Sequence, residues 1–201
     1  MNAPTDEQLL ASHLSGDEGA FRTLVERHST ELFQFVYRFT NRKSAAEDVV
    51  QDTFIQVHLA GQSFDTNRRF KPWLFTIAAN KARDHLRSRT RKREVPLDAQ
   101  VGGDDDDGQR FLDLLADEIT SPTAQLEDAE QSKFVQGVVE EMPAHLSEIL
   151  ILAYFHRFPY RDIAEMLDIP LGTVKSRLHA AVAQFGTLYR QRAGPSQDDP
   201  G

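Results

Sequence analysis

Phe21, Leu24, Val25, Leu32, Phe35, Val36 and Phe39 recur at the three- and four-residue steps of one helical face, with His28 in the same stripe. Asp17 and Glu18 stand at the start, where the helix dipole favours acids, so one long helix is predicted here. After the break "TNRKS", Ala46, Val49, Val50, Phe54 and Val57 predict a second helix ending near Gly61, with Ser44 as N-cap and Glu47 completing a capping box. "GQSFDTNRRFKP" has Gly, Asn, Asp and Pro but no period and reads as a loop. Leu74, Ala78, Ala82 and Leu86 then fall at strict four-residue steps, beside Trp73 and Ile77, and predict a third helix with Lys81, Arg83, Arg87 and Arg89 on its other faces.

Between Pro96 and about Gln125 the rhythm stops. "VGGDDDDGQ" is too acidic to build a core and reads as a linker, within which "FLDLLADEI" is either a short docking helix or a solvated segment. Its aspartates do not fit a calcium loop: with Gly108 as the turn glycine, Gly103 and Leu114 fall on ligand positions. Helical spacing returns in Phe134, Val135, Val138, Val139 and Met142, stopped near Pro143, and again in Leu146, Ile149, Leu150 and Ala153. Pro159 breaks the chain before a short helix "YRDIAEML"; "DIPLG" is a tight turn and "TVKSRLHAAVAQF" a last long helix. No strand pattern occurs. The expected fold is all-α: two small helical bundles joined by a flexible acidic linker, divided as residues 1–95, 96–128 and 129–192, with a disordered tail over 193–201.

At 201 residues and 40% hydrophobic content the chain is large enough for two small cores. No run of eighteen apolar residues and no basic, apolar N-terminal leader occurs, which argues against membrane insertion and secretion and makes the cytoplasm the expected location. The absence of cysteine removes disulfides, thiolate metal sites and cysteine nucleophiles, and the histidines lack zinc-site spacing, so neither a metal nor a cofactor is expected. The net charge of -8 conceals a segregation. From Arg68 to Arg93 there are ten Lys or Arg against one acid, and from Glu94 to Glu141 fourteen acids against two bases.

Two chemistries emerge. "YRDIAEML", a tight turn and "TVKSRLHAAV" fit a helix-turn-helix. At about 100° per residue, Val174, Leu178 and Ala181 share the packing side of the second helix, with Ser176 and Ala183 opposite them and Lys175 and His179 to one side. Such a small, cationic face suits a major groove, whereas Arg177 at the flank suits a phosphate. In the first bundle, "FDTNRRFKPWLFTIAANKARDHLRSRTRKR" combines cations, loop aromatics and the amide of Asn80. Cations track phosphates and aromatic faces stack on unpaired bases for roughly 1 to 3 kcal/mol each, which suits single-stranded or melting DNA. Phe64 and Phe70, in the loop, are the candidate base contacts; Trp73, beside Leu74 and Ile77, reads as core. On the second helix Glu47, Asp48, Gln51, Asp52 and Gln56 crowd away from Val50 and Phe54. With no nucleophile or metal ligand nearby, a protein-docking surface is the economical reading.

Apart from its linker, the chain resembles the extracytoplasmic-function sigma factors, the compact two-domain class of bacterial sigma subunits. The likeness rests on "LLASHLSGDEGAFRTLVERH", "AAEDVVQDTFIQVH", "FKPWLFTIAANKARDHLR" and "YRDIAEMLDIPLGTVKSRLHAAV", whose order and spacing are specific together. The resemblance implies a region 2-like bundle whose face around Glu47, Asp48, Gln51 and Phe54 binds the clamp helices of RNA polymerase. It also implies a loop, with Phe64, Asp65, Arg68, Arg69, Phe70 and Lys71, that captures a flipped minus-10 base, with Asn80, Arg83 and Arg87 along the adjoining DNA. The second bundle would be region 4, reading the minus-35 element with Thr173, Lys175, Ser176, Arg177 and His179 while resting on the polymerase flap. Core polymerase, promoter DNA and an anti-sigma factor are the implied partners, and the chain itself is expected to be no enzyme.

Two departures stand out. Where the family often carries another Arg or Lys after the position of His179, this chain has Ala180 and Ala181, so weaker or different minus-35 contacts are expected. The linker is long and acidic, and serves either as a tether or as a mimic of nucleic-acid charge in the polymerase cleft. The competing readings are a stand-alone helix-turn-helix regulator, which binds duplex DNA unaided, and a sigma mimic that titrates an anti-sigma factor; the basic loop argues against the mimic.

Overall fold

The computed structural model describes residues 3–90 and 127–193; the acidic linker, its "FLDLLADEI" segment and the carboxy-terminal tail lie outside the described residues. The described residues are helical with short turns, and the chain divides into two compact units, one built on the amino-terminal helices and one on the carboxy-terminal helices.

The first unit comprises α1 (Asp6–Leu14), α2 (Glu18–Thr40), α3 (Lys43–Ala60), a 3-10 turn at Gly61–Ser63 and α4 (Phe70–Thr90). Its core is the stripe that the periodicity marks: Leu24, Leu32, Phe35 and Val36 of α2 meet Phe70, Leu74, Phe75 and Ala78 of α4, all fully buried. The Phe35 and Phe75 ring centroids lie 5.3 Å apart. Buried hydroxyls are satisfied within their own helices, Thr53 donating to the Val49 carbonyl at 2.6 Å and Thr40 to that of Val36 at 2.8 Å. Asp17 caps α2 through the Gly19 and Ala20 amides, and Asn41, at φ 48°, ends it in the left-handed conformation that a short polar side chain tolerates.

Two boundaries differ from the sequence expectation. α3 starts at Lys43 with Arg42 at the N-cap and no side-chain cap, so Ser44 is already helical and Glu47 pairs with Lys43 at 3.7 Å instead of closing a capping box. α4 starts at Phe70, not after Pro72, because proline in a first turn forfeits only an amide that has no helical acceptor. The pattern also gave no helix to residues 6–14, yet α1 forms there. Thr5 and Gln8 make a reciprocal capping box, and Leu9 and Leu10 are buried, each contributing about 1.5–3 kcal/mol. His13 Nε2 and His58 Nδ1, 3.0 Å apart, link α1 to α3.

The second unit comprises α5 (Glu127–Glu141), α6 (Ala144–Leu150) running into a π turn at Ile151–Phe155, α7 (Tyr160–Leu167) and α8 (Leu171–Ala193). The His156 amide donates to the Ile151 carbonyl at 3.2 Å, an i to i−5 bond that widens the helix end, and Arg157 then reverses the chain at φ 52°. Asp168 makes the α7–α8 turn at φ 51°, with the Ile169 amide donating to the Ala164 carbonyl at 3.0 Å. At the far end of α8, Arg192 pairs with Glu141 at 2.6 Å and lies over the Phe134 ring, which packs edge-on against Tyr189. Gly137 makes room for this clasp: a β-carbon there would stand 2.6 Å from the Arg192 guanidinium.

Candidate nucleic-acid and polymerase interfaces

The loop between α3 and α4 is built from its own polar residues. Asp65 Oδ1 accepts from both the backbone and the side-chain amide of Asn67 at 3.0 Å, and the Arg68 amide donates to the Asp65 carbonyl at 2.9 Å. Asp65, Asn67, Arg68 and Arg69 are exposed as a result. The aromatics at the two ends turn inward. Phe70 is fully buried and Phe64 is 8% exposed, which corrects the expectation that these rings stand open for base contact: each is held by Trp73, at 5.9 and 4.8 Å between centroids. Trp73, expected in the core, is the half-buried ring of the three and covers the other two.

Along α4 the cations are preset. Arg83 donates to Asn80 Oδ1 at 2.8 Å and to the Ala79 carbonyl at 3.3 Å, so its guanidinium lies along the helix beside the exposed amide. Arg87, also exposed, stands 3.9 Å from Asp84. Lys71 is less open than its loop position suggests, because Glu31 of α2 holds its ammonium at 2.7 Å. The side chains of residues 88–90 lie outside those described.

A different surface lies between α2 and α3: a groove of about 700 Å³ floored by Phe21, Val25, Phe33, Val50 and Phe54 and rimmed by Glu47 and Gln51. Phe54 is buried, edge-on to Phe21 at 6.5 Å, so it forms the floor, while Glu47, Asp48 and Gln51 are exposed. Ile55 and Leu59, one turn apart on α3, are 49% and 70% exposed and carry the apolar surface onto the helix crest. The sequence reading set these polar residues away from Val50 and Phe54, yet Glu47 and Gln51 rim the groove that Val50 and Phe54 floor; the groove was missed because its walls come from two helices whose stripes each look like ordinary core.

In the second unit, Val174, Leu178 and Ala181 of α8 are buried, leaving Lys175 and Ser176 exposed and Thr173, Arg177 and His179 half-buried. Ser176 Oγ donates to the Thr173 carbonyl at 3.2 Å. Burial and, after it, the Arg177 charge hold His145, near the start of α6, below the ordinary histidine value. Ala181 is a core position, so no cation fits there, and the departure noted in the sequence comes down to Ala180, which is half-buried.

Among the described residues no helix is long and apolar enough to cross a membrane, and no group of three or more His, Asp or Glu is placed to hold a metal ion.

A bundle with a preset basic helix and a second unit bearing a helix-turn-helix is the architecture of a two-part promoter reader, and the comparisons agree. Residues 24–92 match the sigma-70 region 2 family and residues 135–185 the sigma-70 region 4 family. The extracytoplasmic-function sigma factor SigW of Bacillus subtilis is 32% identical over 164 residues, 82% of this chain and 86% of that protein. The RNA polymerase sigma-H factor of Pseudomonas aeruginosa is 32% identical over 176 residues, 88% and 89% of the two chains. Among solved structures, CnrH in complex with the cytosolic domain of CnrY superposes with a TM-score of 0.64 at 27% identity, covering 91% of this chain and 96% of that one. The chain belongs to the extracytoplasmic-function sigma factors and is a promoter-specificity subunit of bacterial RNA polymerase.

Proposed function

We propose a division of labour among the surfaces above. The α2–α3 groove, with Glu47, Asp48, Gln51 and Phe54, takes the clamp helices of the polymerase. The 64–71 loop captures an unstacked minus-10 base, with Asn80, Arg83 and Arg87 following the strand along α4. The exposed N-terminal half of α8 reads the minus-35 element through Lys175, Ser176 and His179, with Thr173 and Arg177 at the backbone. Residues 1–95 and 129–192 are then the two working domains, and the second domain rests on the flap.

The observation that carries this reading is the segregation of surfaces on one small bundle. Apolar groove and acids occupy the α2–α3 side, while cations, an amide and a polar loop occupy α4 and its N-terminus. A stand-alone DNA binder has no use for the first surface, and a protein-only decoy has none for the second. With the loop phenylalanines buried, capture falls to the polar loop, whose backbone and Asn67 hydrogen-bond a base edge, and to the open part of Trp73. The chain carries no chemistry of its own in this scheme, since RNA synthesis belongs to the polymerase, and it works in the cytoplasm. An anti-sigma factor regulates it; the relative CnrH, solved with the cytosolic domain of CnrY bound, supports a protein partner of that kind.

The test is run-off transcription with purified core polymerase on a library of genomic promoters, with and without this protein. Protein-dependent start sites are expected, and they are lost with alanine at Asn80 and Arg83. Exchanging Lys175 and His179 changes the upstream sequence preference, whereas equal loss at all promoters would reduce them to phosphate contacts. No protein-dependent start site together with no complex with core sinks the scheme.

A further inference from the structure

The amide of Phe70 opens α4, and as a first-turn donor it has no acceptor within its own helix. Arg69, immediately before the helix, carries only donors on its side chain, and the Asp65 carboxylate accepts from Asn67. The acceptor comes from sixty-three residues away: Glu7 Oε1 receives the Phe70 N–H at 2.8 Å. A carboxylate at this end of a helix also gains from the dipole, and the bond is charge-assisted.

Glu7 is itself held in place. It sits in the first turn of α1, behind the Thr5–Gln8 capping box and beside Asp6, which binds His28 at 2.8 Å and Arg27 at 2.5 Å. The ring of Phe70 packs at 5.6 Å from that same His28. The junction of loop and helix is therefore fixed at three points: the Phe70 amide by Glu7, the Phe70 ring by the core, and Lys71 by Glu31. Asp65 to Arg69, just ahead of it, remain exposed.

We propose that Glu7 is a positioning residue for base capture: its carboxylate holds the start of α4, and with it the end of the 64–69 loop, in the geometry that receives an unstacked base. This rests on the assignment of the loop to the minus-10 base. α1 thereby gains a role in DNA engagement although Glu7 lies far in sequence from every DNA-contacting residue. Removing the carboxylate leaves the Phe70 amide without its acceptor and loosens the loop, while the α2–α3 groove, walled by other helices, keeps its shape.

The test uses the full chain with core polymerase and the single-stranded minus-10 segment of a promoter it initiates from, carrying 2-aminopurine at the captured position. Affinity for core is measured in parallel by competition. Glu7→Ala is expected to weaken the oligonucleotide by about tenfold, the size of one charge-assisted hydrogen bond, with core affinity within about twofold of wild type. Glu7→Gln, which keeps an acceptor oxygen at the same reach, recovers most of the loss; Glu7→Asp, one methylene short, does not. Asn67→Ala, in the loop itself, reports on the underlying assignment. If Asn67→Ala weakens the oligonucleotide and neither Glu7→Ala nor Glu7→Asp does, the positioning role is overturned and base capture stands. If neither position matters to the oligonucleotide, base capture by this loop fails and the inference with it. Parallel loss of core and DNA affinity reduces Glu7 to a stability residue. Should Glu7→Ala not fold, the contrast between Gln and Asp decides.

Discussion

The Lys71 ammonium and the Glu31 carboxylate meet at 2.7 Å, joining the first turn of α4 to the middle of α2. Both side chains are about one-third exposed, so the pair adds well under 1 kcal/mol to stability, and on the proposed minus-10 role of this loop it withholds a cation from DNA. Glu31→Gln is therefore expected to leave the melting temperature nearly unchanged. Single-stranded DNA binding should gain roughly 0.7 in the slope of log affinity against log salt, the value for one added phosphate contact, measured by titration at several salt concentrations.

Ile55 separates the proposed polymerase surface from the fold. At 49% exposure its replacement costs little stability, within about 0.5 kcal/mol, whereas a charge placed on an apolar docking surface must be desolvated on binding. Ile55→Glu should raise the Kd for core polymerase by at least about tenfold with an unchanged melting curve and unchanged oligonucleotide binding. Equal affinity for core would remove the α3 crest from the interface.

Two non-glycine residues of the second unit hold positive φ, Arg157 at 52° and Asp168 at 51°. The left-handed conformation costs a side-chain-bearing residue about 1–2 kcal/mol, partly offset when glycine is introduced by its larger entropy in the unfolded chain. Arg157→Gly should stabilise this unit by about 0.5–1 kcal/mol in urea denaturation, and Asp168→Gly by less, because a short polar side chain already tolerates that conformation.

The Glu7 carboxyl is pulled in two directions. Burial raises it, while the hydrogen bonds from the Phe70 amide, its own amide and Thr5 together prevail and hold it below the ordinary carboxylate value. A folded value below the unfolded one means that the unfolded chain binds more protons between the two, so stability rises with pH across that window. The stability due to Glu7 is complete above the unfolded carboxylate value and is lost as pH falls through the folded one. Thermal melts from about pH 6 to pH 3 should show wild type losing stability faster than Glu7→Gln, the two curves converging at the acid end.

The long amphipathic helices were legible because their apolar positions repeat over many turns, as in the stripe from Phe21 to Phe39. α1 escaped because nine residues give one pair of buried leucines and no period, although "TDEQ" already spells its capping box. The loop before α4 was read as long because Pro72 looks like a stop, when in a first turn it is a start; that misreading also left Phe70 outside the core. The packing side of α8 was readable, since a helix fixes which side chains share a side, and Val174, Leu178 and Ala181 are buried as expected. The docking groove and the Glu7 contact were not, because each depends on residues brought together from different helices.

α8 runs unbroken for 23 residues, a rod of about 35 Å. Its exposed early turns carry every candidate base contact of the second unit, and its last turn is locked to α5 by Arg192, Glu141 and the space that Gly137 leaves. The proposed recognition face and the anchorage thus sit at opposite ends of one lever. On that reading Lys175, Ser176, His179 and Ala180 can be rewritten for a new promoter while Val174, Leu178 and Ala181 keep the packing and the distal fastening keeps the rod aimed.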